Sequence, residues 1–270
     1  MDTEAKLRKL ETIFQTLEKV VVAFSGGVDS TFLTAAAVRA LGAENVLAAT
    51  AVSATLTGDE KSGAVRLAKE IGVRHVLLKT DEFNDTLFTA NSADRCYHCK
   101  RIRFSALVEW AAERGWPWIV EGSNMNDDDD YRPGRRAVAE LELVRSPLKE
   151  AGLTKAEIRE VSKHWKLPTW EKPSAACLAS RIEYGLPLTP ERLTQIEEAE
   201  KFIRPLCKGL LRVRLHGSLA RIEVEPEYIS KLAEPETARK ISKKLKSLGF
   251  HHVALDLSGY RMGSLNEDLK

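Results

Sequence analysis

After a short amphipathic helix at the start of the chain, residues 19–24 form a β-branched apolar run that stops at Ser25-Gly26-Gly27 and passes into helix-forming sequence over 31–41. The same alternation continues with a strand over 46–52, a helix over 59–71, a strand over 73–78, a helix over 101–114 and a short strand over 118–120. Strands alternating with helices predict a parallel sheet with crossover helices, an α/β fold. Ligands of such sheets collect at the carboxyl ends of the strands, where Ser25, Val52 and Glu121 fall.

Beyond Thr154, which reads as the N-cap of a helix over 155–165, the proline-bearing stretch 168–190 interrupts the alternation and marks a domain junction. The remainder reads as a helix over 191–203, strands over 210–215 and 220–224, a helix over 235–248 and a strand over 252–257. The expected organisation is an α/β domain over 1–180 and a smaller α+β domain over 181–270, the latter for substrate binding or oligomerisation.

Composition narrows the class. A chain of 270 residues, 43% hydrophobic and 30% charged, buries a full core. The first fourteen residues mix Lys6, Arg8 and Lys9 with Glu4 and Glu11, unlike a signal peptide, and no apolar run approaches a membrane span. A cytoplasmic protein with no membrane partner is expected. The net charge of +2 gives little encouragement to a nucleic-acid partner, and four cysteines in an intracellular chain read as ligands, nucleophiles or buried apolar residues before disulfides.

In Phe24-Ser25-Gly26-Gly27-Val28-Asp29-Ser30-Thr31, the glycines let the backbone approach a ligand, and the helix that follows directs free N–H groups and its positive dipole end at it. Ser25, Ser30 and Thr31 add hydroxyl donors, and Asp29 is placed to orient the loop or to share Mg2+ with phosphates. The segment lacks the lysine of a Walker A loop and instead resembles the SGGxDS motif of PP-loop ATP pyrophosphatases, the adenine-nucleotide alpha-hydrolase-like enzymes. That resemblance implies that Ser25, Gly26, Gly27, Asp29, Ser30 and Thr31 bind the pyrophosphate of ATP and that a substrate is adenylated.

Cys96 and Cys99 form a C-x-x-C that reads as lying just before a helix, and Cys177 lies in Pro173-Ser174-Ala175-Ala176-Cys177-Leu178-Ala179-Ser180-Arg181. Three thiols suit an iron–sulfur cluster with one exchangeable position. A zinc site completed by His98 or His164, or three buried unreactive thiols, are the alternatives. Cys207 lacks partner spacing and reads as a buried side chain.

Over almost the whole chain the sequence resembles the LarE sulfurtransferases. The resemblance rests on the phosphate loop, Arg95-Cys96-Tyr97-His98-Cys99-Lys100, Glu121-Gly122-Ser123-Asn124 with Asp128, Tyr131-Arg132-Pro133-Gly134-Arg135, Ser146-Pro147-Leu148, the Cys177 segment followed by Tyr184-Gly185, and Asp256-Leu257-Ser258-Gly259-Tyr260-Arg261. It implies that ATP adenylates a carboxylate of a pyridinium-3,5-biscarboxylate mononucleotide and that sulfur replaces AMP, in biosynthesis of the nickel-pincer nucleotide cofactor of lactate racemase. It further implies either a [4Fe-4S] cluster on Cys96, Cys99 and Cys177 that delivers sulfide from a donor, or a sacrificial Cys177 that surrenders its own sulfur. A homo-oligomer is expected.

The run Leu211-Arg212-Val213-Arg214-Leu215 alternates with period two, which puts both guanidinium groups on one strand face. By itself this reads as a solvated face; with the resemblance, Arg212, Arg214 and Arg181 become substrate anchors. Glu121 and Asp128 are the carboxylates chosen for Mg2+, and residues 131–136 a mobile cover over phosphates. The rival readings are a PP-loop tRNA thiolase with a three-cysteine cluster and a non-catalytic ATP-binding sensor.

Overall fold

The computed structural model describes residues 2–129, 134–173, 176–261 and 264, with the side chains of Asp128 and Asp129 excluded. In chain order the elements are α1 (Thr3–Leu17), β1 (Val20–Ala23), α2 (Val28–Leu41), β2 (Val46–Val52), α3 (Gly58–Ile71), β3 (Arg74–Lys79), α4 (Thr86–Thr89), α5 (Arg95–Ala112), β4 (Trp118–Val120), α6 (Gly134–Ala139) and β5 (Val144–Arg145). They continue as α7 (Pro147–Glu150), α8 (Lys155–His164), α9 (Pro190–Ile203), β6 (Leu211–His216), β7 (Leu219–Val224), α10 (Ile229–Ala233), α11 (Pro235–Ser247) and β8 (His252–Leu255).

The chain divides into two compact units, Met1–Glu82 with Cys96–Ala175, and Phe83–Arg95 with Ala176–Lys270. Sequence patterning missed the return of Phe83–Arg95 to the second unit, where the fully buried Asn91 donates through Nδ2 to the carbonyls of Glu183 (2.7 Å) and Leu186 (2.9 Å).

The first unit is a five-stranded parallel sheet in the order β3-β2-β1-β4-β5. β1 is central, and its Val20, Val21 and Val22 are fully buried, as a strand covered on both faces requires. Alternation sends Val20 and Val22 into a core with Phe14 of α1, Phe32 and Leu33 of α2, Leu67 of α3 and Ile158 of α8. Val21 joins Phe104, Leu107 and Ala111 of α5 on the other face. The chain runs outward from β1 through β2 to β3 and then returns to β4 on β1's other side, so the strand order reverses beside β1. A crevice at the carboxyl ends of β1 and β4 is the ordinary ligand position in this topology.

The second unit carries a three-stranded sheet in the order β6-β7-β8, with β6 and β7 antiparallel and β7 and β8 parallel. The register sets Arg212 opposite Glu223 and Arg214 opposite Arg221.

Candidate active site

The loop after β1 is held open by its own hydroxyls. Phe24 N–H donates to the Ala49 carbonyl at 2.8 Å, carrying the strand pairing one residue past β1. Gly26 then turns at φ +68°, a conformation that side chains with a Cβ resist. Gly27 caps α2 without a side-chain partner for the helix, so the first-turn N–H groups stay available to a ligand. The Ser25 and Ser30 hydroxyls lie 3.1 Å apart, and Gly27 N–H donates to Ser25 Oγ at 3.3 Å. Thr31 Oγ1 is buried with no hydrogen-bond partner among the described residues. Free N–H groups, a positive dipole end and an orphaned buried hydroxyl together fit a phosphate-bearing ligand.

The loop after β4 packs directly on this cradle. A Cβ added at Gly122 would lie 3.1 Å from Asp29 Cβ and 3.3 Å from Ser30 N, so only glycine admits the approach as it stands. Asn124 Nδ2 donates to Asp29 Oδ1 at 3.4 Å, and Lys155 Nζ, from the first turn of α8, pairs with Asp29 Oδ2. Lys172 Nζ donates to the Gly26 carbonyl at 2.8 Å. Carboxylates beside phosphates are the ordinary way a protein holds Mg2+, and these contacts fix the Asp29 carboxylate at the phosphate loop.

Glu121, chosen in the sequence for Mg2+, is buried and engaged. Its oxygens accept from Ser123 N–H (3.1 Å), Ser123 Oγ (2.8 Å) and Ser146 Oγ, and Lys100 Nζ lies 3.9 Å away. In this arrangement it organises the β4 loop. The Asp128 side chain and residues 131–133 of the expected cover lie outside the described residues. Among the described residues, no group of three or more His, Cys, Asp or Glu side chains gathers around a metal position.

Cys96 and Cys99 sit inside the first turn of α5, not before it, because the helix already begins at Arg95. Spaced three apart on a helix, they share a face and offer a chelating thiolate pair of the kind soft metals take. Neither is in a disulfide; Cys96 is exposed and Cys99 half-buried. The start of α6 closes on this turn, since a Cβ at Gly134 would meet the Cys96 carbonyl at 3.0 Å and Lys100 Cδ at 2.9 Å. Through Lys100, Glu121 and Gly122 the cysteine turn is tied to the phosphate loop. His98, considered as a zinc ligand, has a buried Nδ1 with no hydrogen-bond partner among the described residues.

In the second unit, the exposed Cys177 caps a 3-10 turn, Leu178–Arg181. Its carbonyl accepts from Ser180 N–H (2.9 Å), Ser180 Oγ (2.7 Å) and Arg181 Nη1 (3.0 Å), which fixes the backbone and leaves the thiol outward. Arg181 pairs with Glu200 (3.1 Å), and Arg214 donates through Nε (3.0 Å) and Nη2 (2.9 Å) to Glu223 and through Nη1 to the Ser180 carbonyl (2.9 Å). The expectation of a solvated arginine face fails: Arg212 and Arg214 are only 7% and 6% exposed. Arg212 donates to the Leu211 carbonyl (2.7 Å) and lies over the Tyr260 ring (5.5 Å), with no ion-pair partner among the described residues. Burial, together with Arg181 and Arg214 nearby, lowers its pKa below the usual arginine value despite the opposing pull of Glu200. A buried guanidinium without a counterion is a seat for an anion.

Lys155 and Lys172 were missed in the sequence, because each reaches the loop from far along the chain and neither belongs to a local motif, and the contact of Asn124, a residue of the Glu121-Gly122-Ser123-Asn124 motif, with Asp29 was not legible either. The parallel sheet and glycine loop define an α/β domain of the PP-loop ATP-pyrophosphatase class, and the sequence profile of the NAD synthase family matches residues 6–115. An uncharacterized protein of Synechocystis sp. is 39% identical, the alignment covering 98% of each chain. The pyridinium-3,5-bisthiocarboxylic acid mononucleotide synthase of Lactiplantibacillus plantarum is 36% identical, covering 98% of this chain and 95% of that protein. A tRNA-specific 2-thiouridylase of Desulforamulus reducens is 25% identical, over 58% of this chain and 53% of that one. The chain belongs to the LarE family and is an ATP-dependent sulfurtransferase. Among the described residues no helix is long and apolar enough to cross a membrane.

Proposed function

We propose that this enzyme adenylates a carboxylate of pyridinium-3,5-biscarboxylate mononucleotide and replaces AMP with sulfur, a step toward the nickel-pincer nucleotide cofactor of lactate racemase. The substrate carboxylate attacks the α-phosphorus of ATP and pyrophosphate leaves. Sulfur then attacks the activated carbonyl carbon, AMP leaves with the bonding pair, and a thiocarboxylate remains. The first-turn N–H groups of α2 and the Ser25, Ser30 and Thr31 hydroxyls stabilise the charge on the departing pyrophosphate. Asp29 holds Mg2+, which when bound neutralises phosphate charge.

The observation that carries the reading is the arginine cluster of the second unit. Arg181 and Arg214 grip the backbone of the Cys177 turn, and Arg212 keeps a buried charge, with no ion-pair partner among the described residues, for an anionic substrate. A dicarboxylate nucleotide supplies such groups. In the proposal Cys96, Cys99 and Cys177 ligate a [4Fe-4S] cluster, which when bound supplies an exchangeable sulfide. The helical pairing of Cys96 with Cys99 and the exposure of the Cys177 thiol support this.

Iron and acid-labile sulfide in anaerobically purified protein test the sulfur source. About four irons per chain, lost in Cys96→Ala, are expected. No iron after anaerobic reconstitution would overturn the cluster, and a Cys177 converted to dehydroalanine after one turnover would assign the sulfur to that residue instead.

A further inference from the structure

Unlike a Walker A loop, this phosphate loop has no lysine in its own sequence, and Asp29 adds a negative charge at its mouth. Lys155 answers that charge by pairing with Asp29. What remains for a polyphosphate is set by the next cation to arrive, and the geometry points to Lys172 as that cation: the residue that contacts the pyrophosphate moiety of ATP. The inference rests on the loop being the pyrophosphate seat proposed above.

Lys172 lies after α8, yet its ammonium is brought to the loop, 2.8 Å from the Gly26 carbonyl. That placement is built. Arg159 of α8 donates through Nη1 to the Trp170 carbonyl and through Nη2 to the Lys172 carbonyl (2.8 Å), so one guanidinium clamps the backbone on which Lys172 stands. Lys163 stacks over the Trp170 ring at 4.6 Å and steadies the same segment. α8 is itself fixed by a reciprocal capping box between Thr154 and Glu157, and Lys6 of α1 pairs with Glu157 at 2.7 Å.

The Lys172 side chain then has donors to spare. An ammonium carries three N–H groups, and the Gly26 carbonyl takes one. Among the described residues no carboxylate pairs with Lys172. A half-buried cation anchored on a backbone carbonyl, at the rim of a cradle of N–H groups, is directed at an anion rather than at a protein partner. Lys155 offsets the charge of Asp29, and Lys172 adds a further positive charge at the mouth, distinct from any Mg2+ that Asp29 holds. Its remaining N–H groups bind the β- and γ-phosphoryl oxygens, and they hold the charge that develops on pyrophosphate as the α-phosphorus is attacked. AMP, which lacks those phosphoryl groups, gains nothing from it. Arg159 acts only as a positioning residue.

The test is equilibrium binding of ATP, inorganic pyrophosphate and AMP to the full chain with Mg2+, for wild type, Lys172→Met and Lys172→Arg. Lys172→Met is expected to weaken ATP and pyrophosphate by about 10- to 100-fold and to leave AMP within about twofold, with Lys172→Arg recovering much of the loss. Unaltered ATP and pyrophosphate affinity in Lys172→Met overturns the assignment, as does an equal loss for AMP, which would mark a collapsed loop. Wild-type protein that binds neither ATP nor pyrophosphate would overturn the phosphate-loop reading itself, an outcome distinct from either.

Discussion

Removal of the Glu223 carboxylate is expected to uncouple the arginine cluster of the second unit. Glu223 is fully buried on β7 and stands opposite Arg212 in register, but its hydrogen bonds run diagonally to Arg214. Its Oε2 accepts both Arg214 Nε and Nη2, and its Oε1 accepts Ser264 Oγ at 2.8 Å and lies 3.3 Å from Arg221 Nη2. Among the described residues, Glu223→Ala leaves the buried Arg214 with only the Ser180 carbonyl (2.9 Å) and the Ser264 hydroxyl (3.3 Å), the situation in which breaking a buried ion pair costs about 3–5 kcal/mol. Hydrogen exchange of the β6 and β7 amides reads the second unit alone. At about 1.4 kcal/mol per tenfold, exchange through opening should accelerate by roughly two to almost four orders of magnitude. The paired change Arg214→Met with Glu223→Leu, which removes both charges, should recover most of the protection. Acceleration of less than about fivefold in Glu223→Ala would refute the claim that this carboxylate holds the cluster.

Gly122→Ala should press on Asp29 and Ser30, at an overpacking cost of about 1–3 kcal/mol, and weaken ATP binding; unchanged affinity in calorimetry would show that the two loops yield freely. Partial burial raises the Glu157 pKa, but hydrogen bonds from Lys6 and from the Thr154 N–H and hydroxyl outweigh it and bring the value down to about 2. Because the folded-state value lies below the unfolded one, this contribution is full above roughly pH 4.5 and is lost as pH falls toward about 2. The stability gap between wild type and Glu157→Gln should close over that window, and a gap independent of pH would contradict it. Cys177→Ala should bind ATP and release pyrophosphate while forming no thiocarboxylate, as followed by mass spectrometry of the product.

The sheet was legible because β-branched runs bounded by glycine carry a local signal, as at Val20–Ala23, and the phosphate loop because its residues are contiguous. The start of α5 was placed too late because Arg95 to Lys100 is polar, and its helical turn is supported by packing with Gly134 rather than by an apolar face. The membership of Phe83–Arg95 in the second unit follows from Asn91, whose partners lie some ninety residues away. The burial of Arg212 and Arg214 was likewise hidden: period-two alternation separates two faces of a strand but does not say that Glu200, Glu223 and Tyr260 cover the charged one. Lys155 and Lys172 reach the phosphate loop through tertiary structure alone.

The most direct measurement is a reaction of the anaerobic, sulfide-supplied protein with Mg2+, ATP and pyridinium-3,5-biscarboxylate mononucleotide, with pyrophosphate, AMP and the product's mass followed together. Pyrophosphate and AMP released only when the dicarboxylate nucleotide is present, with a product in which one oxygen has been exchanged for sulfur, is the predicted result. ATP cleavage that ignores this nucleotide and instead accompanies thiolation of a tRNA base would contradict the account.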